Sequence, residues 1–199
     1  THHPLIFSPI KRVTDEDFIG RRIVRLIRND ISYYAMHTNY DVLGMAELSG
    51  HILDIRNARV LDVTAAENGE EQGIGRIGNL EKPMSLAECC TYVRHRLKLG
   101  SLKVFGDMDQ TVYRIAVSPG AGKSAIPAAI EKGADVLVTG DIGHHDGLDA
   151  VAQGLAVIDA GHYGTEYIFM DDMKRFLADK LPGLEVDTAP VIHPFQVIP

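Results

Sequence analysis

The chain has 199 residues, 45% of them hydrophobic and 24% charged, enough for one large domain or two small lobes sharing a core. A formal net charge of −7 argues against a nucleic-acid-binding surface, because phosphate binding draws mainly on Lys and Arg; a local pocket for one phosphorylated substrate stays open. No run approaches the ~18 consecutive apolar residues of a membrane span, and the first residues carry no signal-peptide pattern, so a cytoplasmic protein is expected.

In chain order, Thr1-His2-His3-Pro4 leads at once into the apolar run Leu5-Ile6-Phe7. Domains seldom place such a motif at a frayed end, so a segment preceding Thr1 is expected; a purification-tag remnant is the bland alternative. Thr14, followed by Asp15, Glu16 and Asp17, reads as a helix start with acids at the positive end of the dipole, and Ile19, Ile23, Leu26 and Ile27 recur at helical spacing. Residues 31–36 read as a strand, followed by His37-Thr38-Asn39-Tyr40-Asp41 and a helix over about 42–53. Residues 58–63 and 73–80 read as strands, and Ser85-Leu86-Ala87-Glu88 is a capping box that opens a helix to about Leu99.

From there strands and helices alternate. Strands are predicted over 102–105, 112–117, 135–139 and 155–159, and helices over 124–132, 148–153 and 163–180. Such alternation implies parallel pairing, which gathers functional loops at the carboxyl ends of strands. A loose duplication is visible: His2-His3 is followed by a helix, a strand and His37-x-x-x-Asp41, while His144-His145 is followed by a helix, a strand and His162-x-x-x-Glu166. Two related lobes are expected, about 1–55 and 56–199.

Six of the nine histidines fall in these four clusters, each at a predicted strand end. Loops on one edge of a parallel sheet converge, and imidazole with carboxylate suits Zn, Fe, Mn or Ni; two such ions take roughly five to eight ligands. If a helix begins near His162, then Glu166, four residues on, shares its face. The bland readings are local: His3 before Pro4 as a turn residue, and His37 bonding backbone while Asp41 alone ligates. His51, His95 and His193 read as surface or structural residues. Adjacent Cys89 and Cys90 form no disulfide scaffold, and a vicinal-thiol metal site is the weaker reading of them. Gly120-Ala121-Gly122-Lys123-Ser124 imitates a P-loop, but Val117 stands where the full pattern needs glycine.

Taken together, THHPLIF, HTNYD, GIGRIGNLEKP, AVSPGAGKS, DVLVTGDIGHHD and DAGHYGTE resemble the dinuclear-metal family of GTP cyclohydrolase 1 type 2 homologues, also called Nif-three-like proteins. The resemblance spans essentially the whole chain. It implies a single α/β domain of two lobes, with mixed, largely parallel sheets flanked by helices, assembled into a ring-shaped homohexamer around a cavity. It also implies two divalent metal ions held by His2, His3, Asp41, His162 and Glu166, with Glu166 the shared carboxylate and Asp41 a second candidate for that role. His145 matches a residue near the metals, and His145 and His37 are the expected proton carriers. Members carry a segment before the histidine pair, and some carry an inserted domain for which residues 53–73 leave no room. The expected activity is metal-dependent hydrolysis of a small molecule; the alternative is a non-catalytic metal-binding regulatory or metal-handling hexamer.

Overall fold

The computed structural model describes all residues except Pro194 and Pro199, together with every side chain of the helices and strands except that of Glu67. The chain divides into two compact units, Thr1–Tyr40 and Asp41–Pro199.

The first unit holds helix α1, Phe18–Arg28, and the short α2, Thr38–Tyr40. The start of α1 lies beyond the Thr14 expected from the sequence. Its N-cap is Asp17, whose carboxylate accepts a 2.7 Å hydrogen bond from the Gly20 amide and so satisfies one of the open first-turn donors. The strand expected over 31–36 does not form. A strand needs a partner with a run of paired groups, and here the main-chain bonds to the first residues converge on Thr1: the Met36 amide donates to the Thr1 carbonyl and the Thr1 amino group to the Tyr34 carbonyl, each at 2.8 Å. Those bonds lay the first residues beside the segment that ends in His37.

The second unit opens with a π-helical turn, Asp41–Met45, that runs on into α3, Ala46–Ile52. Its six strands are β1 (Arg56–Glu67), β2 (Glu70–Ser85), β3 (Lys103–Phe105), β4 (Thr111–Ala121), β5 (Val136–Gly140) and β6 (Ala156–Asp159). They form one sheet in the order β1-β2-β4-β5-β6-β3. The sheet is mixed: parallel pairing is confined to β4-β5-β6, and the β1–β2, β2–β4 and β3–β6 pairs are antiparallel. The antiparallel ribbon comes from a two-residue hairpin at Asn68-Gly69, where both φ angles are positive (51° and 84°), as the twist of a tight hairpin demands.

The remaining helices are α4 (Leu86–Arg96), α5 (Ile126–Glu131), α6 (His144–Ala152), α7 (His162–Glu166) and α8 (Phe169–Lys180), with a 3-10 turn, Gly122–Ala125, before α5. The capping box is present, with Ser85 and Glu88 bonding each other's amides at 3.2 and 2.8 Å. Alternation along the central strands sends Ala116, Leu137 and Val157 to one face, into a core with Ile126 and Ala129 of α5 and Ala150 of α6. Their neighbours Ile115, Val117, Val136, Val138 and Ile158 face the other way and are also buried. On that side α3 and α4 are tied together by the Tyr92 hydroxyl, which donates to the Leu53 carbonyl at 2.8 Å. Burial of both faces explains why the central strands are apolar runs and not alternating ones. No helix among the described residues is long and apolar enough to cross a membrane.

Candidate metal centre

In the first unit the His37 ring lies beside those of His2 and His3. Ring centroids are 5.0 Å apart for His2–His3, 5.3 Å for His2–His37 and 5.0 Å for His3–His37. One ring nitrogen of each lies within 4.8 Å of those of the other two. Bonds to backbone carbonyls hold the set. The Met36–Thr1 bond aligns the segments, His2 Nδ1 sits 2.7 Å from the Met36 carbonyl, and the Tyr33 hydroxyl donates to the His3 carbonyl at 2.6 Å. With Nδ1–H bonded to a carbonyl, the lone pair of a neutral His2 ring lies on Nε2, the form a metal takes.

In the second unit the parallel strands β4, β5 and β6 end on one edge of the sheet, with Ala121 paired to Gly140 and Thr139 to Asp159. Helix α7 starts at His162, with two residues between it and the end of β6, and its i, i+4 spacing sets His162 and Glu166 one turn apart. His162 Nε2 is 3.2 Å from Glu166 Oε1, and Nδ1 is 2.7 Å from Oδ2 of Asp141, the first residue after β5. Asp41 begins the π-helical turn, and one of its carboxylate oxygens is within 4.8 Å of one of Glu166. Gly120, near the end of β4, presses against the Glu166 side chain. Its φ is +77°, a Cβ there would stand 2.5 Å from Glu166 Oε1, and its amide donates to Thr165 Oγ1 at 2.9 Å.

Two carboxylates govern the charge of His162. The Glu166 carboxylate at Nε2 is the largest influence, Asp141 at Nδ1 adds to it, and together they raise the ring's pKa to about 9 against the opposing effect of desolvation. The folded metal-free chain therefore holds a proton that an unfolded chain releases near 6.5. The stability this proton confers is complete below pH 6.5 and is lost as pH rises through about 9. An ion taking Nε2 must displace the same proton, so apparent metal affinity should climb across that window by up to about tenfold per pH unit. Isothermal titration between pH 6 and pH 9 checks the slope, and melting curves of the metal-free protein should fall over the same range.

The other sequence-selected residues take different places. His144 and His145 occupy the exposed first turn of α6, ring centroids 5.2 Å apart. Lys123 of the P-loop-like stretch pairs with Asp146 at 2.9 Å, and that stretch packs through Gly120 against α7. Cys89 and Cys90 lie in the buried face of α4, and burial pushes the Cys89 thiol up to about 12, so this pair packs as apolar residues. His51 and His95 are exposed on helices, and the exposed His193 lies 5.9 Å, ring to ring, from Tyr163. The helix expected over 163–180 is interrupted after Glu166, where the Met170 amide bonds back only three residues, to the Tyr167 carbonyl at 3.1 Å. Sequence reasoning assigned no role to Asp141. Its signal was the carboxylate just past the apolar run Val136-Leu137-Val138, in the loop position that corresponds to Gly161-His162 after the next strand.

The family model described as Duf34/NIF3 (NGG1p interacting factor 3) matches residues 1–193. A Clostridium acetobutylicum protein named GTP cyclohydrolase 1 type 2 homolog is 33% identical over 204 aligned positions, covering 100% of this chain and 75% of that protein. Among solved structures, a Bacillus cereus protein related to NIF3 superposes with a TM-score of 0.89 at 24% identity, covering 99% of this chain and 82% of that one. The Staphylococcus aureus hypothetical protein SA1388 gives 0.84 at 26% identity, covering 99% and 78%.

Proposed function

The chain belongs to the Duf34/NIF3 family, and from that membership and its histidine–carboxylate clusters we propose that it is a dinuclear metal-binding hydrolase acting on a small molecule. His2, His3, Asp41, His162 and Glu166 are the proposed ligands. The observation that carries this reading is the His162–Glu166 pair on one helical turn, with an oxygen of Asp41 within 4.8 Å of one of Glu166.

The donor set fits a metal. Ligand atoms about 2.0–2.2 Å from an ion lie roughly 3.3–4.4 Å from one another, so the spacing within the histidine set and between the two carboxylates needs only a small contraction. Imidazole and carboxylate suit Zn, Fe, Mn or Ni. Two divalent ions, once bound, would supply charge stabilisation and a water of lowered pKa. The chain's own residues do the rest. Glu166, with its side chain only 11% exposed, presents a shielded anion that two ions can share. His37, among the rings of His2 and His3, and His145, on the exposed turn of α6, are the proposed proton carriers. A purine nucleotide is the first substrate to test, in view of the name of the Clostridium relative. A cytoplasmic, ring-shaped homohexamer is the proposed setting, supported by the family's motifs.

The test is elemental analysis of purified protein, followed by a turnover screen on nucleotides, phosphoesters and cyclic amides with each of the four metals. About two ions per chain and metal-dependent turnover are expected. Bound metal without turnover on any substrate favours the regulatory or metal-handling reading, and a metal-free protein that takes up none of the ions ends the proposal.

A further inference from the structure

We propose that Asp141 is a positioning residue that orients the His162 ring so that Nε2 is the nitrogen offered to a metal, and that the Asp159–Lys103 pair holds Asp141 in place; this rests on the metal reading above. His162 could present either nitrogen. The 2.7 Å contact between Nδ1 and Asp141 Oδ2 removes that freedom, because a ring bonded to a carboxylate at Nδ1 keeps its proton there and its lone pair on Nε2. Nε2 is the nitrogen turned toward Glu166 Oε1.

The backbone at Asp141 points the same way. Its φ is +57°, in the left-handed region that side chains other than those of Asn and Asp seldom enter, and glycine would sit there without strain. Holding a carboxylate there requires support, and Asp159 provides it. This residue ends β6 and is 7% exposed, and its carboxylate accepts bonds from both strand-end loops: the Ile142 amide at Oδ2 and the Gly161 amide at Oδ1, each at 3.0 Å. Lys103, on the neighbouring β3, offsets the buried charge at 2.8 Å and donates to the Ile142 carbonyl at 2.6 Å. One buried carboxylate thus locks the residue after Asp141 to the residue before His162, so the spacing of the Asp141–His162 pair is set by the sheet.

The decisive variant is Asp141→Gly, which removes the carboxylate and keeps the left-handed backbone, compared with Asp141→Asn, whose amide oxygen still accepts from Nδ1–H. Zinc affinity measured by competition with a chromophoric chelator should fall about 10–100-fold in Asp141→Gly, with Asp141→Asn recovering part of the loss. Independently, nitrogen-15 spectra of the metal-free protein, taken where the ring is neutral, should show the proton of His162 on Nδ1 in wild type and shared between the two nitrogens in Asp141→Gly. Wild-type zinc affinity in Asp141→Gly, or an unchanged tautomer, overturns the inference. A wild-type protein that binds no zinc, iron, manganese or nickel overturns the metal reading, and the tautomer measurement then decides the positioning role alone.

Discussion

Glu166→Ala is expected to lower bound metal from about two ions to well under one per chain after dialysis, read by elemental analysis. Outer partners of a ligand are typically worth 10–100-fold in affinity, so removal of a shared ligand should cost at least about a hundredfold. The position explains the size of the effect. Glu166 sits on the first turn of α7, 3.2 Å from His162 Nε2 and within 4.8 Å of an Asp41 oxygen, with its side chain only 11% exposed. A shielded anion cannot be replaced by a mobile surface carboxylate. Glu166→Gln keeps the volume and removes the charge, and should lose metal nearly as completely. The raised pKa of His162 owes most to this carboxylate, so the pH dependence of metal-free stability should shrink in the same variants. If both variants keep the wild-type metal content, Glu166 is not a ligand and the centre proposed here is wrong.

Gly120→Val should lower stability by about 2–4 kcal/mol and weaken metal binding as well, because two penalties fall on one residue. A β-branched side chain at φ +77° is strained by about 1–3 kcal/mol, and its Cβ would start 2.5 Å from Glu166 Oε1. Relief requires moving either the Glu166 side chain or the end of β4, whose Gly120 amide is bonded to the buried Thr165 hydroxyl. Gly120→Ala meets the same backbone strain with less bulk and should fall between the two. Urea unfolding, read as a lower midpoint with unchanged slope, measures the first effect, and chelator competition the second. A valine variant as stable as wild type would mean that β4 and α7 separate there without cost.

The glycine also shows why the P-loop-like stretch misleads. Glycines near lysine and serine suggest a phosphate cradle, yet here Gly120 lets β4 approach α7 and Lys123 turns to Asp146. Its purpose depends on a helix that begins some forty residues later, and no local pattern records that. The strand expected over 31–36 fails for a related reason. Alternation reports a residue's preference for extended backbone, while a strand also needs a partner along its length, and here the main-chain bonds to the first residues converge on Thr1. Asn68-Gly69, by contrast, carries its turn chemistry locally, since both residues tolerate the positive φ of a tight hairpin, though it is not among the elements expected from the sequence.

Local physics sufficed for most elements and for the identity of the donors. The Ser85–Glu88 cap, the apolar β5 and the i, i+4 spacing of His162 and Glu166 act over a few residues, where chain geometry alone decides who meets whom. Tertiary structure chose the partners: Asp141 for Nδ1 of His162 across 21 positions, Thr165 for the Gly120 amide across 45, and His37 as third member of the ring set with His2 and His3. A hydrogen bond or a coordination bond reaches only about 3 Å, so such roles exist only once each unit has folded its distant segments together, and spacing along the chain does not fix them.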